Sequence, residues 1–321
     1  MSGVQVGVAL PTREVAILGA AEASPLLKIA RQIEDFGYDA VYAGDAYVAR
    51  HRLEPMTLLA AVATMTERVT IGTGALIAPP RNPVALAHII VTLDQLSGGR
   101  LRMGLGAGFP LPVKAELDAE VMTFGERLER MDEMVAGWLT AWNGEDGDLV
   151  GKYYDMRALR DQPLPLQKGG PSLWLAANGK KKAVQRIARH YAGWMPIRVT
   201  PEEYAENGAN ISAALTEAGR DPASLTRCLY TTVHINDDVD QARAGLEDYT
   251  NRYNNLPVDV MSGFQLYFGG SASAFVDWLK QYVDAGARQI VLRLGSFDNY
   301  ERHLRIIADE VVPALHALDV D

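Results

Sequence analysis

A strand-like run followed by a helix-like run recurs eight times along the 321 residues, and no other feature of the sequence limits the fold as strongly. Val4, Val6, Val8 and Leu10 alternate with small or polar residues and predict a first strand closed by Pro11. Ser24-Pro25 opens a helix that Gly37 ends; proline suits the first helical position, whose N–H has no intrahelical partner. The grammar repeats with strands over 38–43, 69–76 and 101–105 and helices over 55–67 and 83–96. A long helix from Phe124 to Trp142 and an irregular stretch, 143–172, lead into the second half. There the predicted strands are 173–177, 192–196, 225–235 and 289–294, with helices behind each and a last helix ending near Ala317. Parallel strands require crossovers, and helices outside the sheet supply them. Eight such units predict an α/β fold, a (β/α)8 TIM barrel with insertions in its loops, as one domain over 1–321. Its length beyond the ~250 residues of a simple barrel falls in 109–123, 143–172 and 254–270.

Charge and cysteine content narrow the function classes. Lys and Arg number 31 against 40 Asp and Glu, a net charge of −9, so there is no global cationic surface for nucleic acid. The single cysteine, Cys228, excludes an internal disulfide framework and suits a reducing compartment. No uninterrupted apolar run reaches membrane-spanning length, and the N-terminus lacks a basic segment followed by an apolar one. We expect a soluble, cytoplasmic chain that acts on a small molecule, without nucleic-acid or membrane partners.

A barrel of this kind places its site at the C-terminal ends of the strands. Those ends read Leu10-Pro11-Thr12, Gly44-Asp45-Ala46, Gly74-Ala75, Gly106-Ala107-Gly108, Ala177-Asn178-Gly179, Met195-Pro196-Ile197 and Arg293-Leu294-Gly295. They are poor in acid–base groups and rich in small residues, which let backbone approach a large flat ligand. Gly104-x-Gly106-x-Gly108 is not a dinucleotide fingerprint, because Phe109 stands at the third glycine and Pro110 follows it. It reads as a glycine-lined strand, or as room for a ring system. Ala177-Asn178-Gly179-Lys180-Lys181-Lys182 ends a strand and opens a helix, so free N–H groups and the helix dipole favour an anion there. The alternative is a solvated basic turn.

Other chemistries find little support. The histidines at 51, 88, 190, 234, 303 and 316 show no metal-ligand spacing, so no metal is expected. His88 and His190 lie on predicted helices as packing or surface residues; His51 alone falls in a site loop. No lysine lies inside a predicted strand, which disfavours a Schiff-base aldolase. No GxSxG elbow occurs, and Cys228 sits near a strand start, on the stability face.

The runs Pro55-Met-Thr-Leu-Leu-Ala-Ala-Val-Ala, Thr66-Glu-Arg-Val-Thr-Ile-Gly-Thr-Gly, Arg81-Asn-Pro-Val and Leu93-Asp-Gln-Leu-Ser-Gly-Gly-Arg-Leu-Arg-Met-Gly-Leu-Gly-Ala-Gly resemble the bacterial-luciferase-like superfamily. Trp174-Leu-Ala-Ala-Asn-Gly and Ala192-Gly-Trp-Met-Pro extend the likeness over nearly the whole chain. The resemblance implies a (β/α)8 barrel that uses FMN or the deazaflavin coenzyme F420. It implies that Asp45 ends the second strand close to the ring. It makes Gly74-Ala75 a bulge backing the ring, where many relatives have a cis peptide, and Ala107-Gly108 a flanking loop. Ala177, Asn178, Gly179 and Lys180 match the cofactor phosphate loop, in agreement with the dipole argument.

Two positions depart from the branch that oxidises sugar phosphates or alcohols with coenzyme F420. A histidine follows the acidic residue there, where this chain has Ala46, and a glutamate stands at the position of Phe109. With nearby Tyr47 these residues suggest an apolar pocket mouth. The expectation is a coenzyme F420-dependent oxidoreductase exchanging hydride with an apolar small organic substrate, with Asp45 and His51 the candidate catalytic groups. Lys180, Lys181 and Lys182 could reach the anionic tail of F420. Alternatives are an FMN-dependent monooxygenase served by a flavin reductase partner, a non-catalytic flavin-binding protein, and a phosphosugar isomerase or aldolase on the same barrel. The resemblance also allows a homodimer.

Overall fold

The protein is described by a computed structural model that covers residues 3–20, 22–46, 51–108 and 122–320. Eight parallel strands close on themselves: β1 (Gln5–Ala9), β2 (Ala40–Ala43), β3 (Thr70–Ile77), β4 (Leu101–Gly106), β5 (Ser172–Leu175), β6 (Gly193–Trp194), β7 (Thr226–Ile235) and β9 (Gln289–Leu294). The pairing Gln5↔Gln289 to Val8↔Leu292 joins the last strand to the first and completes the TIM barrel.

A ninth strand, β8 (Tyr267–Gly270), lies in the stretch expected to be a loop insertion. β7 is ten residues long; Cys228–Val233 pair with β9 on one side, and Thr232–Ile235 pair with β8 on the other. The Leu266 amide donates to the Ile197 carbonyl at 2.8 Å, so β8 fills the gap that two-residue β6 leaves at the top of the wall. Tyr267-Phe268-Gly269-Gly270 shows no alternation, and only the edge of upper β7 that β6 leaves unpaired makes it a strand.

The expected helix starts are found where a capping residue precedes proline. Glu54 accepts from the Thr57 amide before α3 (Pro55–Met65), and Asn82 accepts from Val84 and Ala85 before α4 (Pro83–Leu96). Thr200 and Glu203 form a reciprocal capping box before α7 (Pro201–Glu217). The remaining outer helices are α2 (Ser24–Asp35), α5 (Arg127–Trp142), α6 (Lys181–His190), α8 (Val239–Asn254) and α10 (Ala272–Asp284). Two short helices escaped sequence reading: α1 (Thr12–Ile17), directly after β1, and α9 (Val258–Met261). The last helix is not continuous. α11 (Tyr300–Ile306) passes through a π turn (Ile307–Val311) into α12 (Val312–His316), because Pro313 cannot continue the α ladder.

Inside the barrel, Tyr42, Trp174, Met195, Tyr230, Cys228 and Val291 pack together. The strand glycines are explained here. A Cβ at Gly7 or Gly72 would stand 2.7 or 2.8 Å from the Tyr42 ring, and one at Gly193 would collide with Trp174. A Cβ at Gly104 would collide with the Thr73 carbonyl and the Met195 methyl, so this glycine makes room for barrel packing rather than for a ligand ring. Arg102 lies in this interior, giving a hydrogen bond to Gln289 (2.7 Å) and one to Gln5 (3.1 Å). Cys228 is fully buried, and burial pushes its thiol pKa upward, which leaves it a packing residue.

Candidate active site

A cavity of about 600 Å³ opens at the C-terminal ends of the strands. The residues that reach it come from almost every strand end: Asp45 and Ala46 after β2, Gly74, Ala75 and Ile77 on β3, and Gly106-Ala107-Gly108 at β4. Ala176-Ala177-Asn178 after β5, Met195 and Ile197 after β6, Tyr230 on β7 and Arg293 on β9 complete the ring. Sequence reading therefore located this face of the molecule. Tyr47 and Phe109, on which the apolar mouth partly rested, lie outside the described residues.

The floor is made of small groups. The peptide between Gly74 and Ala75 is cis, inside a register shift between Thr73 and Leu76 in the β3–β4 pairing. A Cβ added at Gly106 would make ordinary contacts with the Ala75 and Ala176 methyls, at 3.7 and 3.8 Å. Gly108 takes φ +82°, a conformation that suits glycine.

Asp45 sits where expected but is fully engaged. Its Oδ2 accepts from the Ile77 amide (2.8 Å) and from Arg81 Nη1 (2.6 Å), and Oδ1 accepts from Arg81 Nη2 (3.3 Å). The side chain is 3% exposed. Arg81 also donates to the Ile77 carbonyl (2.6 Å), so the pair braces the end of the β3 bulge. A carboxylate held this way is a strut rather than a free base.

The loop expected to bind an anion lies at the cavity edge. The N-terminus of α6 has no side-chain cap, and Asn178, Lys180, Lys182 and Ala183 face the cavity beside it. Asn178 Oδ1 accepts from the Ile197 and Arg198 amides (3.2 and 3.3 Å), which joins this loop to the one after β6. Gly179 does not line the cavity. It is glycine because a Cβ would collide with Asn207 on α7. His51 is exposed and outside the lining, whereas its neighbour Arg52 is part of it.

What sequence reading missed is the set of arginines that joins the lysines in the chamber. Arg52, Arg127, Lys180, Lys182, Arg186, Arg198 and Arg293 line it, and Asp45 is the one carboxylate among the described lining residues. Arg186 is paired with Asp132 at 2.7 Å. In a chain of net charge −9 this is a strongly local excess. Arg127 and Arg186 lie on outer helices, and only the barrel brings them to the strand ends.

A tyrosine cluster forms the opposite wall. Arg52 Nη2 donates to the Tyr253 hydroxyl at 3.0 Å, and Tyr253 stacks on Tyr249 at 5.1 Å between centroids. The Tyr249 hydroxyl donates to buried Glu14 at 2.6 Å. The Arg293 guanidinium lies over Tyr253 (4.8 Å) and Tyr230 (5.3 Å). Burial pushes the Tyr230 phenol pKa up, against a smaller opposing effect of Arg293. Glu14 and the tyrosines are spread over 240 residues of sequence with no spacing that marks them as neighbours.

Comparison with known proteins agrees with this architecture. The family model described as luciferase-like monooxygenase matches residues 4–290. The chain belongs to the luciferase-like monooxygenase family. It is 24% identical over 317 residues to the F420-dependent glucose-6-phosphate dehydrogenase of Amycolatopsis mediterranei (strain U-32), covering 91% of this chain and 95% of that one. It is 26% identical over 293 residues to the phthiodiolone/phenolphthiodiolone dimycocerosates ketoreductase of Mycobacterium tuberculosis (strain ATCC 25618 / H37Rv), covering 77% and 75%. The oxygenating constituent of 3,6-diketocamphane monooxygenase from Pseudomonas putida, solved with FMN, superposes with a TM-score of 0.75 at 17% identity, covering 99% and 100%. This family member is an oxidoreductase or monooxygenase with a deazaflavin or flavin as its cofactor class. Among the described residues no helix is long and apolar enough to cross a membrane.

Proposed function

We propose that the protein is a coenzyme F420-dependent oxidoreductase that exchanges hydride with a small organic substrate. The observation that carries this reading is the run of cations beyond the phosphate loop. Lys180 and the α6 N–H groups suffice for one phosphate; Lys182, Arg127 and Arg198 add positive charge along the same rim. A cofactor with a phosphate and an anionic tail uses that surplus, whereas FMN requires only the loop.

The chamber suits such a group. About 600 Å³ is within the range of ligand pockets, and its floor of Gly74, Ala75, Gly106, Ala107 and Ala177 leaves space for a flat ring. Asn178, Lys180 and Lys182 would hold the phosphate end. When bound, the deazaflavin supplies hydride transfer to or from carbon, the chemistry that belongs to the cofactor itself. The protein's part is placement and proton handling. The Asp45–Arg81 pair keeps the β3 bulge in position, and Ile77, Met195 and Ile197 exclude water from the floor. Tyr230, kept protonated by burial, holds a proton at its phenol oxygen on the cavity wall. It replaces His51 as the candidate proton donor.

The test is a pair of titrations of the unliganded protein, one with coenzyme F420 and one with FMN. We expect tight F420 binding, weakened at least tenfold by Lys182→Glu, and a shorter-tailed F420 to bind less well. Preference for FMN would move the reading to a monooxygenase that uses reduced flavin and oxygen. Binding of neither would overturn the assignment of the chamber.

A further inference from the structure

We infer that the chamber contains a second oxyanion site, formed by Arg52 and Arg293, and that the substrate carries a carboxylate or phosphate group bound there. This rests on reading the β5–α6 loop as the cofactor's phosphate site. The barrel order is β1-β2-β3-β4-β5-β6-β7-β9, so β5 stands across the ring from β1. Arg52 follows β2 and Arg293 ends β9, the two neighbours of β1. The pair therefore faces the phosphate loop from the far side of the cavity.

Three features mark this as a built site. Neither guanidinium is in an ion pair with a carboxylate among the described residues, whereas Arg81 and Arg186 are paired with Asp45 and Asp132. Glu14, the buried acid of this wall, takes its hydrogen bond from Tyr249 instead. Both cations are held in place by neutral groups. Arg52 is held by the Tyr253 hydroxyl at 3.0 Å and passes close to Gly44, where an added Cβ would stand 2.7 Å from Nη1. Its Nε is enclosed with no protein partner. Arg293 lies on the faces of Tyr230 and Tyr253, which attract a guanidinium without neutralising it. Two oriented forks without a salt bridge to any described carboxylate, open to a cavity, match the planar geometry of a carboxylate or phosphate.

The site revises the expectation of an apolar substrate. The floor at Ala75, Ile77 and Met195 takes the apolar body, and the anionic end points toward β9. Tyr230, beside Arg293, then stands next to the substrate rather than to the cofactor's phosphate end.

Inorganic phosphate and acetate are the probes, titrated calorimetrically at low ionic strength into protein saturated with F420. We expect one remaining anion site with millimolar affinity, weakened at least tenfold in Arg293→Met and in Arg52→Met. Stronger binding of phosphate indicates a phosphate ester as substrate, and stronger binding of acetate a carboxylate; either supports the inference. Loaded protein that takes up neither anion, or variants that bind as the wild type does, would overturn it. Should the Met variants fail to fold, Arg52→Lys and Arg293→Lys keep the charge and lose the fork; unchanged affinity in both would then refute the site. If F420 and FMN both fail to bind, the titration is repeated on unliganded Lys180→Gln/Lys182→Gln protein, which lacks the other anion site. A site that persists there and disappears on adding Arg293→Met sustains this inference while the cofactor reading falls.

Discussion

Lowering the pH from 7.5 to 5 should destabilise the protein, and His303 makes a contribution that can be isolated. His303 on α11 has no exposed surface, and its Nδ1 accepts the Ile235 amide at 3.2 Å. The ring packs edge-on against His234 at 4.4 Å, and its Nε2 has no protein partner. Burial lowers its pKa from 6.5 to about 3, and the neighbouring His234 and Arg302 push in the same direction. Between those values the unfolded chain binds a proton that the folded protein refuses. The contribution is thus fully present above pH 6.5 and is lost as the pH falls toward 3. At about 1.4 kcal/mol per pH unit, roughly 2 kcal/mol is lost by pH 5 and roughly 5 kcal/mol over the whole window. The assay is denaturant unfolding of wild type and His303→Asn at pH 7.5, 6.5, 5.5 and 5. Asparagine keeps an acceptor near the Ile235 amide, so its packing cost is the same at each pH, and carboxylate titrations cancel in the difference. The wild-type curve should fall about 2 kcal/mol further than that of the variant between pH 7.5 and 5. Parallel curves would show that His303 protonates without penalty and refute the argument.

Two further outcomes follow from buried carboxylates. Asp94 is fully buried and accepts from the Leu166 amide (2.7 Å), the Gln167 amide (3.0 Å) and Gln167 Nε2 (2.7 Å), so it anchors the irregular 143–172 stretch to α4. Asp94→Ala should cost roughly 2–4 kcal/mol by leaving those donors unpaired, with new proteolytic cleavage between 162 and 170; an unchanged cleavage pattern would count against the anchor. Asp45→Asn should weaken cofactor binding by loosening the Arg81 brace while leaving the shape of the turnover–pH profile intact. Loss of one limb of that profile would return Asp45 to a proton-transfer role.

The barrel was readable because its signals are local. Pro55, Pro83 and Pro201 each follow a capping residue, and the alternation at Val4, Val6 and Val8 needs no partner to be recognised. β8 was not readable, since four residues with two glycines become a strand only against the free upper half of β7. The candidate anion loop was legible for a related reason: Asn178 to Lys182 are contiguous, and a strand end followed by an uncapped helix start favours an anion wherever it occurs. Gly179 shows the limit of that reading, because its role is set by Asn207, 28 residues further along the chain.

The sequence by itself determined the order of strands and helices, the face that carries the site, the anion loop and the family likeness, all of which depend on neighbours in the chain. Only the tertiary structure decided the character of the chamber. It paired Asp45 with Arg81, left His51 outside, and gathered Arg52, Tyr230, Tyr253 and Arg293 from four separate segments. The reason is physical: charge, hydrogen-bond satisfaction and burial are properties of what surrounds a side chain. In a closed barrel those surroundings come from strands far apart in sequence.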